Sequence, residues 1–145
     1  MNVAFEPATA STFDALAAWR YPPPYDFYDG DVDPVLNPER HYAAHDEHGA
    51  LVGFFYFEAK HAGAVEIGLG LRPELVGKGL GLEFFRAGVD FAHRTFGPTR
   101  VILNVAAFNE RAITVYERGG FHRTGEHVRR FDRFGEVPFV ELEES

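Results

Sequence analysis

The chain reads as an α/β protein, and three stretches say so. Residues 64–71, Ala64-Val65-Glu66-Ile67-Gly68-Leu69-Gly70-Leu71, form a strand-like apolar run. Arg72-Pro73-Glu74 breaks it, because proline has no amide hydrogen for a ladder. From Leu80 to about Thr95, apolar residues recur at helical spacing: Leu80, Phe84, Phe85, Gly88, Phe91 and Ala92. A second strand follows at Arg100-Val101-Ile102-Leu103-Asn104-Val105, then a helix that begins at Asn109.

Val3-Ala4-Phe5 is a short strand that Pro7 ends. Ser11 or Thr12 caps a helix running to Trp19, with Phe13, Leu16 and Ala17 on related faces. Pro22-Pro23-Pro24 then favours an extended polyproline stretch. Tyr21, Tyr25, Phe27 and Tyr28 stand beside Asp26, Asp29, Asp31 and Asp33, a composition unlike a Gly/Ser linker. Residues 41–47 read as a strand, 46–49 as a turn and 51–58 as a strongly β-prone run, which makes a hairpin. Lys60-His61-Ala62-Gly63 turns into the 64–71 strand. His41, His45 and His48 have metal-ligand spacing only on a helix; on a strand with a turn they read as exposed histidines, and no metal site is expected.

Phe96-Gly97-Pro98 stops the long helix. Asn109 is the N-cap of the last helix and Gly119 its C′ residue. The tail alternates over residues 126–131 and 137–142 around a turn near 131–135, as in a closing hairpin. Pro138 marks that last strand as an edge or as bulged. There is no internal repeat and no domain boundary, so residues 1–145 are expected to form one domain.

Composition narrows the functional classes. Hydrophobic residues make up 46% of the chain and fifteen Phe supply much of a core. No apolar run approaches the roughly 18 residues of a membrane span. The start Met1-Asn2-Val3-Ala4-Phe5-Glu6 lacks a basic, then apolar, signal pattern, so a cytoplasmic location is expected. Without cysteine there is no disulfide, no thiolate metal site and no Cys nucleophile. The formal charge of −8 argues against a nucleic-acid partner and permits attraction of cationic substrates.

Val76-Gly77-Lys78-Gly79-Leu80-Gly81 lies between strand and helix. Glycines at a helix start leave backbone N–H groups bare, which with the helix dipole suits a phosphate or pyrophosphate. A tight turn using glycine for positive φ is the other reading. A Walker loop is excluded because Gly79, not Ser or Thr, follows Lys78. The dinucleotide fingerprint fails because Leu82 stands where its third glycine belongs.

Strand, glycine loop, helix, strand and then Asn109-x-x-Ala112-x-x-x-Tyr116-x-x-x-Gly120-Phe121 resemble the GNAT superfamily of acyl-CoA-dependent N-acyltransferases over residues 65–121. The wording around Glu66-Ile67-Gly68 and Tyr116 is most similar to the ribosomal-protein N-terminal acetyltransferase branch. The family's loop usually carries Arg or Gln where this chain has Val76, while Gly79 and Gly81 match. The resemblance implies a twisted, mixed, mostly antiparallel sheet of about six to seven strands flanked by about four helices. It implies acetyl transfer from acetyl-CoA, as co-substrate and without metal, to a primary amine such as a small cationic amine or a protein N-terminus. Attack would be direct, in a ternary complex, by a monomer or homodimer without nucleic-acid or membrane partners. The alternative is a catalytically silent acyl-CoA-binding or regulatory domain.

The same resemblance assigns residues. Backbone groups at Leu69, Gly70 and Leu71 meet the pantetheine amides and the developing oxyanion. Val76, Gly77, Lys78, Gly79, Leu80 and Gly81 hold the pyrophosphate, and Asn109 contacts the cofactor or simply caps its helix. Tyr116 is the general acid that protonates the leaving thiolate, or a core tyrosine. Glu66 is the candidate base: strand alternation puts it on one face with Gly68 and Gly70, opening space for an amine. Its alternative is an edge-strand glutamate paired with an arginine. Tyr25, Asp26, Phe27, Tyr28 and Asp29 form an aromatic, acidic acceptor wall, or a surface loop whose aromatics cover the sheet edge.

Overall fold

A computed structural model describes residues 1–29, 40–97 and 99–145. Its seven strands form one sheet: β1 (Ala4–Pro7), β2 (His41–His45), β3 (Leu51–Ala59), β4 (Ala64–Leu71), β5 (Arg100–Ala106), β6 (Phe121–Phe131) and β7 (Gly135–Glu144). Their order is β1-β2-β3-β4-β5-β7-β6. Three α-helices accompany them among the described residues, α1 (Ala10–Ala17), α2 (Gly81–Phe96) and α3 (Glu110–Arg118), against about four expected. The sheet is mixed, since β4 and β5 run parallel while β5–β7 and β6–β7 are antiparallel. Among the described residues no helix is long and apolar enough to cross a membrane.

Two compact units divide the chain: Met1–Tyr56 with Leu69–Leu80, and Phe57–Gly68 with Gly81–Ser145. In the first, β2 pairs antiparallel with both β1 and β3. Phe55, fully buried, meets the Phe5 ring at 5.4 Å. The cap of α1 differs from the expectation. Thr9 is the N-cap and shares a reciprocal capping box with Thr12, so the helix starts earlier and stops at Ala17 rather than Trp19. The turn after β2 is held by Asp46 Oδ1, which accepts from the His48 and Ala50 N–H groups at 2.9 and 3.0 Å. The Ala50 bond is the main cause that lowers the Asp46 carboxyl below its ordinary value. His41 is half-buried, with its ring 5.3 Å from that of Phe13, and His45 is half-buried too; only His48 is exposed as expected.

In the second unit, α2 buries Phe84, Phe85, Gly88, Val89 and Ala92 along one face. Asn109 caps α3 as expected, its Oδ1 accepting from Ala112 N–H at 3.2 Å. The left-handed residue after that helix is Gly120, φ +93°, not Gly119. Gly119 is glycine for another reason: a Cβ there would stand 2.8 Å from Phe85 Cε2. The Pro138 expectation is also corrected. β7 is an interior strand between β5 and β6, and the irregular register lies on β6 at Arg123/Gly125. Pro138 is tolerated because β5 ends at Ala106, and the Pro138 carbonyl accepts from Ala107 N–H at 2.9 Å. In an antiparallel ladder a residue's N–H and C=O point to the same neighbour, so the missing donor faces the end of β5.

Candidate active site

β4 is the element that carries the predicted site. Ala64, Val65, Glu66 and Ile67 are buried, whereas Gly68, Leu69, Gly70 and Leu71 are half-exposed; the strand thus opens toward its C-terminal end.

The first unit holds that open end. A Cβ on Gly70 would lie 2.3 Å from Phe54 Cε1, so the space expected above this glycine is filled by a phenyl ring. The Leu71 carbonyl accepts from the Tyr21 hydroxyl at 2.8 Å, and Tyr21 N–H donates to Asp29 Oδ1 at 2.7 Å. Tyr21 therefore joins Asp29, predicted on the acceptor side, to Leu71, predicted on the cofactor side. Burial first, then the charges of Asp29 and Glu74, push the Tyr21 phenol up to about 12. Pro22–Pro24 do not run on as polyproline. The chain turns there, with a cis Pro23–Pro24 bond, and Tyr25–Tyr28 form a short 3₁₀ helix. Phe27 and Tyr28 meet edge to face at 5.1 Å, and Tyr25, Asp26 and Asp29 are half-buried. Asp31 and Asp33 lie outside the described residues.

After Pro73–Leu75, a 3₁₀ turn, come the loop residues. Gly77 and Gly79 have φ of +79° and +76°, values that only glycine adopts freely, and a Cβ on either would meet nothing within 4 Å. Lys78 is exposed, and Val76 and Leu80 are half-buried. Gly81 is the first residue of α2, with Val115 Cγ2 at 3.5 Å from the position of a Cβ.

The second unit holds the ionisable candidates. Glu66 is 8% exposed. It lies on a strand flanked by β3 and β5, so the edge-strand reading is overturned. Its Oε1 accepts from Asn104 Nδ2 at 2.8 Å. Asn104 Oδ1 is buried with no hydrogen-bond partner among the described residues; leaving a buried acceptor unmade costs about 1–3 kcal/mol. Tyr116 is also 8% exposed, its ring 4.7 Å from that of Phe85. Asn109 sits at the start of the same helix.

Two residues of this arrangement were not singled out by the sequence. Asn104 is the lone polar side chain in the run 101–106, which is a usable signal. Tyr21 opens the proline- and aromatic-rich stretch noted above, but nothing there separates it from Tyr25 or Tyr28. A groove of about 410 Å³ in the first unit, lined by Glu6, Thr9, Thr12, Ala43 and His45 among others, contains none of the predicted site residues. Among the described residues no three His, Cys, Asp or Glu side chains are grouped to hold a metal.

Comparison with known proteins adds to this geometry. A family profile described as the acetyltransferase (GNAT) domain matches residues 6–122. Mycothiol acetyltransferase of Propionibacterium freudenreichii subsp. shermanii is 37% identical over 83 residues, 54% of this chain and 26% of that protein. The matched part thus spans about a quarter of that relative's length. Among solved structures, AAC(6')-Ib in complex with Parmomycin and AcetylCoA superposes with a TM-score of 0.73 at 20% identity, covering 100% of this chain and 94% of that one. A chimera of the spermidine N-acetyltransferase SpeG from Vibrio cholerae and hSSAT gives 0.74 at 18% identity, covering 99% and 96%. At those identities the structural likeness concerns the fold.

Proposed function

The chain belongs to the acetyltransferase (GNAT) domain family, and from that premise we propose that it transfers an acetyl group from acetyl-CoA to a primary amine, in a ternary complex. The observation that carries this reading is Glu66: a carboxylate buried on an interior strand, hydrogen-bonded by an amide, two residues before β4 opens at Gly68. Acetyl-CoA supplies an activated thioester acyl group. The chain's own residues supply position and protons. Main-chain N–H groups over Val76, Gly77, Lys78, Gly79, Leu80 and Gly81 hold the pyrophosphate, for which the left-handed glycines and their open surroundings are suited. Backbone groups of Leu69, Gly70 and Leu71 orient the pantetheine arm, and Asn109 adds a contact while capping α3.

An amine attacks only when neutral, so an ammonium must first lose a proton. Glu66 takes it. The leaving thiolate then needs a proton, and the Tyr116 phenol gives it. The acceptor in this reading is a cationic amine. Asp26 and Asp29 attract an ammonium, and Phe27 with Tyr28 hold it by cation–π contact worth roughly 0.5–2 kcal/mol. A second basic group, as in a polyamine, an aminoglycoside or a basic N-terminal peptide, anchors the substrate while the first reacts. A protein N-terminus belongs to this class of acceptor too. We read residues 1–145 as one N-acetyltransferase-like domain acting as monomer or homodimer in the cytoplasm.

A thiol-release screen with acetyl-CoA across polyamines, aminoglycosides, amino acids and basic peptides tests the reading. A cationic acceptor whose kcat/KM falls with added salt is expected. Acetyl-CoA binding without thiol release on any amine contradicts it and favours a silent acyl-CoA-binding domain.

A further inference from the structure

β4 and β5 run parallel with Glu66 beside Ile102. Asn104 is two residues further along β5 and so shares the face of Ile102. Its Nδ2 donates to Glu66 Oε1 at 2.8 Å. That orientation is fixed by chemistry: an ionised carboxylate only accepts, so the amide must offer its nitrogen. The consequence is an Oδ1 that is buried and has no partner among the described residues. A side chain needed only to fill space on that face would be apolar, like Ile102 beside it.

We propose that Asn104 is the positioning residue for Glu66, an amide that serves the carboxylate and the carboxylic acid in turn. This rests on reading Glu66 as the group that takes the proton from the acceptor. In that step R–NH₃⁺ and Glu66–COO⁻ become R–NH₂ and Glu66–COOH. The N–H bond breaks, an O–H bond forms, and the nitrogen keeps the electron pair with which it attacks. The new O–H needs an acceptor. A half-turn of the amide about its last torsion, which is broad and two-fold, exchanges Nδ2 for the unfilled Oδ1. Glu66 then donates to Asn104 instead of accepting from it, and the strands stay where they are. Leucine, of similar size, serves neither state. Aspartate offers acceptors only and adds a like charge.

The charged groups on the flanking strands are otherwise engaged. Glu141, opposite Asn104 on β7, accepts from Thr124 Oγ1 at 2.8 Å. Glu143, opposite Ile102, is paired with Arg100. Glu58, near the end of β3, is 3.4 Å from Lys60 Nζ.

The test compares steady-state turnover of the whole chain as wild type, Glu66→Gln, Asn104→Leu, Asn104→Asp and the double variant Glu66→Gln/Asn104→Leu, with acetyl-CoA and spermidine as probe, each with its melting temperature. Asn104→Leu should lower kcat roughly tenfold or more with the KM of both substrates little changed, and Asn104→Asp should do the same. Wild-type kcat in a folded Asn104→Leu overturns the proposal; Asn104→Asp, nearly isosteric, decides by itself if the leucine variant does not fold. The double variant should be no slower than Glu66→Gln, because Asn104 acts only through Glu66; a further loss overturns the positioning role while leaving Glu66 as the proton acceptor. If Glu66→Gln turns over like wild type, the proton-acceptor reading fails and the positioning role with it.

Discussion

Tyr21 donates its hydroxyl hydrogen to the Leu71 carbonyl at 2.8 Å across fifty residues of sequence. The bond ties the segment after α1 to the open end of β4 and needs a protonated phenol. The Tyr21 value stands at about 12, above the ordinary 10.0, so the folded state holds this proton more tightly than the unfolded chain. Its contribution to stability is whole below pH 10 and is lost as pH rises from 10 to about 12. Thermal melts at pH 9 to 12 should show a steeper alkaline fall for wild type than for Tyr21→Phe. Parallel curves would contradict the assignment, as would an absorbance titration in which removing Tyr21 leaves the last phenol phase in place.

Gly70 lies under the Phe54 ring, where a Cβ would come within 2.3 Å of Cε1. Gly70→Ala should destabilise the fold by about 1–3 kcal/mol, as overpacking does. Phe54→Leu should return part of that loss in the double variant. Denaturant unfolding of the four proteins measures the coupling; strictly additive effects would mean the ring does not set the requirement for glycine.

Gly79→Val places a branched side chain at φ +76°, where nothing crowds it but the backbone itself is strained. Acetyl-CoA affinity should fall at least tenfold, by about 1.4 kcal/mol or more, with unfolding still cooperative. Gly81→Ala is the contrast: this position is helical and its Cβ makes an ordinary contact with Val115. Titration calorimetry distinguishes them, and wild-type affinity in Gly79→Val would remove the pyrophosphate from this loop.

Much of this could be read beforehand, and the failures have a common origin. The 64–71 strand was legible because a proline sits just past its end, and α3 because Asn109 opens it. Those are local signals. The α1 cap was misplaced because Thr9, Ser11 and Thr12 all qualify, and only the folded geometry reveals that Thr12 is the partner and Thr9 the cap. Pro138 misled because strand order is non-local: it is the end of β5, a different part of the chain, that excuses the missing donor. The Glu66–Asn104 bond spans 38 residues and depends on the parallel register of two strands, which no spacing in the sequence encodes. The occupied space above Gly70 was missed for the same reason, since alternation names a face but not what covers it.

Tyr116→Phe deletes one hydroxyl and keeps the ring that packs on Phe85. If the hydroxyl protonates the thiolate, kcat should fall roughly 10²–10⁴-fold with acetyl-CoA affinity unchanged. Normal turnover accompanied by lower stability would make Tyr116 a core residue only, in line with its burial.

The most direct measurement is the steady-state rate of thiol release from acetyl-CoA by wild type and Glu66→Gln, with the best cationic amine from the screen. The isosteric change keeps a partner for Asn104 and removes the proton acceptor. The account predicts a fall in kcat of roughly 10²–10⁴-fold, with the acetyl-CoA dissociation constant and the melting temperature nearly unchanged. A Glu66→Gln enzyme that releases thiol at the wild-type rate across pH would contradict it.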